Sequence, residues 1–172
     1  MTKEFFILGL PRSRTAWLAN FLTYDGFFCH HEALDGCLTE YEYVEKVRGS
    51  GDASTATMLV DLEAYFPHAP KLIIERDVER SIEYGIEVFG IDMSEYLYQL
   101  KERLDSVKGL RIHFDDIDEH LGVIWEYLTG TPCDMDRANM LKNMNVQVND
   151  PFIYDGVAMK EFMASVQFPE SL

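Results

Sequence analysis

Three short apolar runs, each leading into a segment of helical periodicity, constrain this chain more than any other feature: "EFFIL" (4–8), "KLIIE" (71–75) and "LRIHF" (110–114). Runs this short, apolar at consecutive positions, suit strands buried on both faces, as in a parallel sheet. After the first run, Trp17, Leu18, Phe21 and Leu22 recur on one helical face. After the second, Val78, Ile82, Ile86 and Phe89 predict a helix from near Asp77 to Gly90. After the third, Leu121, Ile124, Trp125 and Leu128 face inward in a helix predicted over 117–128 and stopped by Gly130. Strands alternating with helices imply an α/β fold of three layers, a mostly parallel sheet with helices on both faces.

The connecting stretches carry weaker signals. A strand is predicted over 27–31 after the Asp25-Gly26 turn, a helix over 40–48 behind the capping pair Thr39 and Glu42, and a strand within "TMLVDL" (57–62). Asp92 and Glu95 suit the start of a helix that buries Met93, Tyr96, Leu97, Leu100, Leu104 and Val107, and "DMDRANMLKNM" (134–144) reads as a last helix. "GSGDAST" (49–55) reads as a polar surface loop, and the tail beyond Asn149 has no periodicity. With 172 residues, 47% of them hydrophobic, the chain is expected to build one sizeable core, a single domain over 1–172.

Thirty acidic side chains against fifteen basic ones give a net charge of −15, a field that repels nucleic acid and anionic membrane. No apolar stretch reaches membrane-spanning length and no signal peptide is recognised, so the expected location is the cytoplasm. Cys29, Cys37 and Cys133 form no CxxC pair and are expected to be reduced thiols. A zinc site from Cys29, His30 and His31 is not expected, because neighbouring strand residues point apart. In so acidic a chain, a small anion needs a local positive pocket, and a cluster of arginines becomes informative.

The turn "LPRSRTAW" (10–17) holds such a cluster between the first strand and the first helix. Turns of this kind line the carboxyl edge of an open parallel sheet, where ligands bind. The helix start adds unpaired N–H groups and the positive end of its dipole. Arg12 and Arg14 bring forked cationic donors suited to phosphate or sulfate oxygens, and Ser13 and Thr15 bring hydroxyls. The plain alternative is that Pro11 and Ser13 only start a helix and both arginines are solvated.

These residues resemble the phosphosulfate-binding loop of the sulfotransferase family, which reads Pro, Lys or Arg, Ser, Gly, Thr, Thr or Ala, Trp, Leu. The resemblance implies a P-loop NTPase-like, sulfotransferase-like fold. It also implies 3′-phosphoadenosine-5′-phosphosulfate (PAPS) as sulfuryl donor and adenosine 3′,5′-bisphosphate (PAP) as product. It sets Arg12 against the bridging and phosphate oxygens, with Ser13, Arg14, Thr15, Ala16 and Trp17 in the loop around the 5′-phosphate. Arg14 stands where the family has glycine, so its side chain is expected to point outward or crowd the loop and its backbone to avoid the left-handed region. "KLIIERDVERSIEYG" (71–85) is similar to the family's 3′-phosphate element, an arginine and a later serine, which puts Arg76 and Ser81 in those roles. Ser81 comes earlier than the family's serine, whose spacing falls on Glu83. "LRIHFDDIDEHLGVIWEYLTG" (110–130) is similar to a later strand, acidic turn and helix of the family; the resemblance spans roughly 5–145, and the family's late glycine-rich, lysine-containing loop is absent.

Sulfuryl transfer needs charge neutralisation on the departing phosphate and a base for the acceptor. Arg12 is the expected catalytic cation, and the base is expected from "CHHEAL" at the end of the second strand: Glu32 first, His31 next, with His30 weighed beside them. For each histidine, a packed or hydrogen-bonded ring is the plain alternative. Strand alternation puts Cys29 and His31 on one side and His30 and Glu32 on the other. Asp52, Ser54 and Thr55, and Tyr41 or Tyr43, are candidates for the acceptor side, against surface-loop and core readings. The acceptor class is a small molecule or carbohydrate bearing a hydroxyl or amine. Two rivals stand beside this reading: a noncatalytic nucleotide-binding module on the same fold, and a P-loop kinase, which would need a lysine and a second glycine that residues 9–16 lack and for which Asp61 would serve magnesium.

Overall fold

A computed structural model describes residues 4–142 and 144. Five strands form one sheet: β1 (Phe5–Gly9), β2 (Cys29–His31), β3 (Gly51–Ser54), β4 (Lys71–Glu75) and β5 (Leu110–His113). The order is β2-β3-β1-β4-β5 and every pairing is parallel. Seven α-helices connect and cover them: α1 (Thr15–Leu22), α2 (Glu40–Val47), α3 (Leu62–Tyr65), α4 (Val78–Phe89), α5 (Ser94–Ser106), α6 (Leu121–Thr129) and α7 (Met135–Lys142).

Alternation along the central strand sorts the core into two. Phe6 and Leu8 of β1 join Ile73 of β4 against α2, α3, α4 and α5, with Tyr43, Leu62, Leu97 and Leu100 buried there. Phe5 and Ile7 join Leu72, Ile74 and Ile112 against α1, α6 and α7, where Trp17, Phe21 and Trp125 pack their rings. The result is three layers, helix–sheet–helix, as the near-continuous apolar strands require.

Two stretches differ from their sequence reading. "GSGDAST" is no surface loop: Gly51–Ser54 is β3, fully buried between β1 and β2. Its small polar residues hid it, because a strand paired on both sides takes its order from its neighbours rather than from β propensity. "TMLVDL" is no strand: Ser54 Oγ accepts from the amides of Ala56 (3.0 Å) and Thr57 (3.2 Å), turning the chain at once into a 3₁₀ turn at Thr57–Leu59. The capping pair holds, with Thr39 Oγ1 accepting from Glu42 N (3.2 Å) and Glu42 Oε2 from Leu38 N (2.8 Å). A 3₁₀ stretch, Phe114–Glu119, precedes α6, so that helix starts later than the pattern predicts. The tail beyond Asn149 lies outside the described residues.

Strand order also places the crevice. β1 leads through α1 toward β2, while its neighbour β4 leads through α4 toward β5, and α1 and α4 lie on opposite faces. Connections that part at adjacent strand ends leave a gap at the carboxyl edge, the usual ligand site of open α/β sheets.

Candidate functional site

The loop after β1 has an unusual backbone. Arg12 has φ 68° and Arg14 φ 60°, while Ser13 between them stays on the ordinary negative side. Arg14, with ψ 24°, is the N-cap of α1 and is left-handed, contrary to the sequence expectation; its side chain makes no cap hydrogen bond to the helix. Left-handed residues other than glycine cost about 1–2 kcal/mol each. Alternating φ signs are the backbone pattern of many anion-binding turns; here the Ser13 N–H is taken by Leu10 O (3.2 Å), which leaves the N–H groups at the start of α1 for an anion. At Arg14 the cost is offset by its side chain: Nη1 donates to Asp118 Oδ1 at 2.9 Å, and the guanidinium lies 4.4 Å from the Trp17 ring centroid.

The loop is braced from β4 and α4. Ser81 Oγ donates to the Pro11 carbonyl (3.1 Å) and Arg76 Nη1 to the Arg12 carbonyl (2.7 Å). In trans peptides the following N–H groups then point the opposite way, and that of Ser13 bonds Leu10 O at 3.2 Å. Ser13 is fully buried, and its Oγ has no partner among the described residues. It fits because Gly9 carries no side chain: a Cβ there would lie 2.9 Å from Ser13 Cβ. Thr15 is buried with its hydroxyl 3.2 Å from His31 Nε2, Ala16 is half-buried, and Trp17 is buried with Nε1 donating to Leu141 O (3.2 Å).

Cations gather here despite the acidic chain. Arg76 is pushed below the usual guanidinium range, by burial first and then by Arg80 and Arg12. Its guanidinium lies 4.2 Å from the Phe114 centroid and that of Arg12 lies 4.7 Å from the Tyr84 centroid. Arg76 Nε is buried without a hydrogen-bond partner among the described residues. Ser81, only 1% exposed and spent on the loop carbonyl, is a brace rather than a hydroxyl open to a phosphate.

At the same carboxyl edge, beyond β3, β2 ends at His31 and the chain turns sharply at Glu32, φ 53°. Strand alternation therefore fails there: Glu32 and His31 reach each other, Oε1 to Nε2, at 3.8 Å instead of parting to opposite faces. Glu32 is fixed by the end of β3, accepting from Ser54 Oγ (2.6 Å), Thr55 N (2.9 Å) and Thr55 Oγ1 (3.1 Å). Beneath it, buried Asp52 accepts from Ala33 N (3.1 Å), Tyr43 OH (3.0 Å) and Thr57 Oγ1 (2.7 Å). Tyr43 thus belongs to the core, while Tyr41 is exposed. His30 packs edge-on against Phe28, ring centroids 4.6 Å apart. Burial and the charge of Glu32 push the Tyr96 phenol up to about 12. A cleft of about 470 Å³ opens beside Glu32, lined in part by Asp35, Leu38, Leu59 and Val60.

One edge of the sheet thus carries an amide-and-arginine cradle, and Thr15 links it to a carboxylate–imidazole pair able to handle a proton. Arg12, Ser13, Arg14, Thr15 and Arg76 surround the first part, with His31 and Glu32 forming the second. Asp118, Phe114, Tyr84 and Tyr96 were not legible as neighbours of this site. Only the acidic turn "FDDIDEH" signalled one of them, since an arginine in a glycine position calls for a counter-ion. Asp61 caps α3, its Oδ1 accepting from Ala64 N at 3.0 Å. Among the described residues, no group of three or more His, Cys, Asp or Glu is placed to hold a metal ion. Within those residues no helix is long and apolar enough to cross a membrane. Comparisons with protein-family models, curated proteins and solved structures return no match.

Proposed function

We propose that the loop 10–15 binds the phosphosulfate end of PAPS and that the protein is a sulfotransferase-like member of the P-loop NTPase-like folds, passing a sulfuryl group to a small-molecule or carbohydrate acceptor. The observation that carries the reading is the backbone at 12–15: left-handed arginines on either side of a buried Ser13 hydroxyl that has no hydrogen-bond partner among the described residues, at the start of α1. Strain of this kind persists where the surroundings over-determine it, and it marks functional sites. A central first strand running into this loop supports the fold assignment.

PAPS supplies an activated sulfuryl group. Arg12 and the amides at the start of α1 meet charge on the phosphate that departs, where preorganised donors act most strongly. Glu32, held by Ser54 and Thr55, takes or orients the acceptor's proton together with His31. Arg76 is the group for the 3′-phosphate; Ser81 does not fit that part of the donor. The cleft beside Glu32 suits the acceptor. Three free thiols, Cys29, Cys37 and Cys133, suit a cytoplasmic protein.

The second reading, a nucleotide-binding module without turnover, draws on one specific observation: Arg76 and Ser81 both spend a donor on carbonyls of the loop itself. A kinase is disfavoured, since Asp61 is used as a helix cap. Calorimetry with PAP and with ATP–magnesium separates the readings. PAP binding with sulfuryl turnover from PAPS supports the first, and PAP binding alone supports the second. Preference for ATP–magnesium overturns both.

A further inference from the structure

The loop that replaces the family's glycine with Arg14 also brings its own anion. Asp118, in the 3₁₀ stretch after β5, meets Arg14 Nη1 at 2.9 Å, in a pair whose side chains are 24% and 47% exposed. The same stretch places Phe114 under Arg76, with Asp115 nearby favouring its charge. One short acidic segment thus touches two of the cations around the cradle. We infer that Asp118 is a built-in competitor for the cradle: it holds Arg14 while the site is free and surrenders it to an incoming phosphoryl dianion.

A guanidinium has five N–H donors in a fixed plane, and a carboxylate that takes one edge removes that edge from a ligand. A partly exposed pair is weak, so it yields readily to a stronger partner. A group with two negative charges, approaching the N–H groups at the start of α1, outbids one carboxylate; a single negative charge does not. Asp118 thereby sets the ligand class of the cradle as phosphoryl dianions over monoanions such as chloride or acetate. Trp17, under the guanidinium, keeps Arg14 beside the loop during the exchange.

This inference rests on the anion-binding part of the reading above, not on sulfuryl transfer. The test uses the whole chain, with inorganic pyrophosphate and PAP as probes and calorimetry as readout. Asp118→Asn should tighten pyrophosphate roughly 1.5- to 5-fold and reduce discrimination against acetate. The gain should vanish when Arg14→Ala is added, and Glu119→Gln, a charge removal on the same stretch without this contact, should not reproduce it. Pyrophosphate affinity unchanged or weakened in Asp118→Asn overturns the inference, as does an equal gain in Glu119→Gln. Tightened pyrophosphate without any PAP binding upholds the competitor and sinks the PAPS reading. PAP binding that ignores Asp118 does the reverse, and failure of both probes removes both.

Discussion

Arg12, Ser13 and Arg14 carry most of what is distinctive at the level of single residues. Replacing Arg12 with Ala should weaken PAP by about tenfold to hundredfold, the worth of a hydrogen bond to a charged group, while the melting temperature stays close to the parent's. Unchanged affinity in calorimetry would remove Arg12 from the site. Arg14→Gly and Arg14→Ala both delete the Asp118 pair, but only glycine tolerates φ 60° freely. The glycine variant should therefore be more stable by about 1 kcal/mol in denaturant unfolding; equal stability would mean that the loop relaxes out of the left-handed region. Glu32→Gln should abolish turnover with PAPS and leave PAP affinity intact, and activity that survives would assign the proton to His31. The arginines and hydroxyls of this loop were legible because residue type and position after the first strand define what they offer. Their neighbours were not: Asp118 lies 104 positions from Arg14 and Ser81 lies 70 from Pro11, contacts that only the packed sheet creates.

Among the elements, β3 decides how the second half of the site is held. Asp52, fully buried on it, gathers three donors, and Asp52→Ala would strand two hydroxyls and an amide at a cost of about 3 kcal/mol or more. Burial pushes the Asp52 carboxyl above the usual aspartate value; bonds from Thr57, Ala33 and Tyr43 oppose this and the charge of Glu32 adds to it. A raised acid binds its proton more readily in the folded chain. Its contribution to stability is therefore present at low pH and lost as pH climbs from about 3.9, the unfolded value, through the folded one. Asp52→Asn should remove that decline, so the stability difference between variant and parent should change across this window in denaturant titrations. A difference independent of pH would refute the assignment. The strands β1 and β4 were legible as unbroken apolar runs, and helices α5 and α6 because an apolar face repeats along each. β3 was not, since Gly, Asp, Ala and Ser carry no apolar period and its order comes from pairing with β1 and β2. Glu32 was placed on the wrong side for a related reason: strand periodicity stops at His31, and nothing local announces the positive φ that follows.

The molecule as a whole combines a net charge of −15 with a cationic crevice. Self-repulsion among thirty acidic side chains should make the melting temperature rise when sodium chloride goes from a few millimolar to about 0.15 M, where the Debye length is about 8 Å. A melting temperature that falls over this range would place the dominant electrostatics in attractive pairs instead. The layer arrangement was readable from the alternation of strand and helix patterns, whereas the order β2-β3-β1-β4-β5, which opens the crevice between β1 and β4, emerges only from three-dimensional pairing. One feature of that crevice also makes its occupancy visible. The charge of Arg14 rests 4.4 Å from the centre of the Trp17 indole, and the chain's other tryptophan, Trp125 of α6, is buried against Phe21 and Phe27. With Trp125 changed to Phe, the protein keeps a single tryptophan, and under excitation selective for indole its emission colour tracks the cation above the ring, so a guest's arrival can be watched in a cuvette without any label.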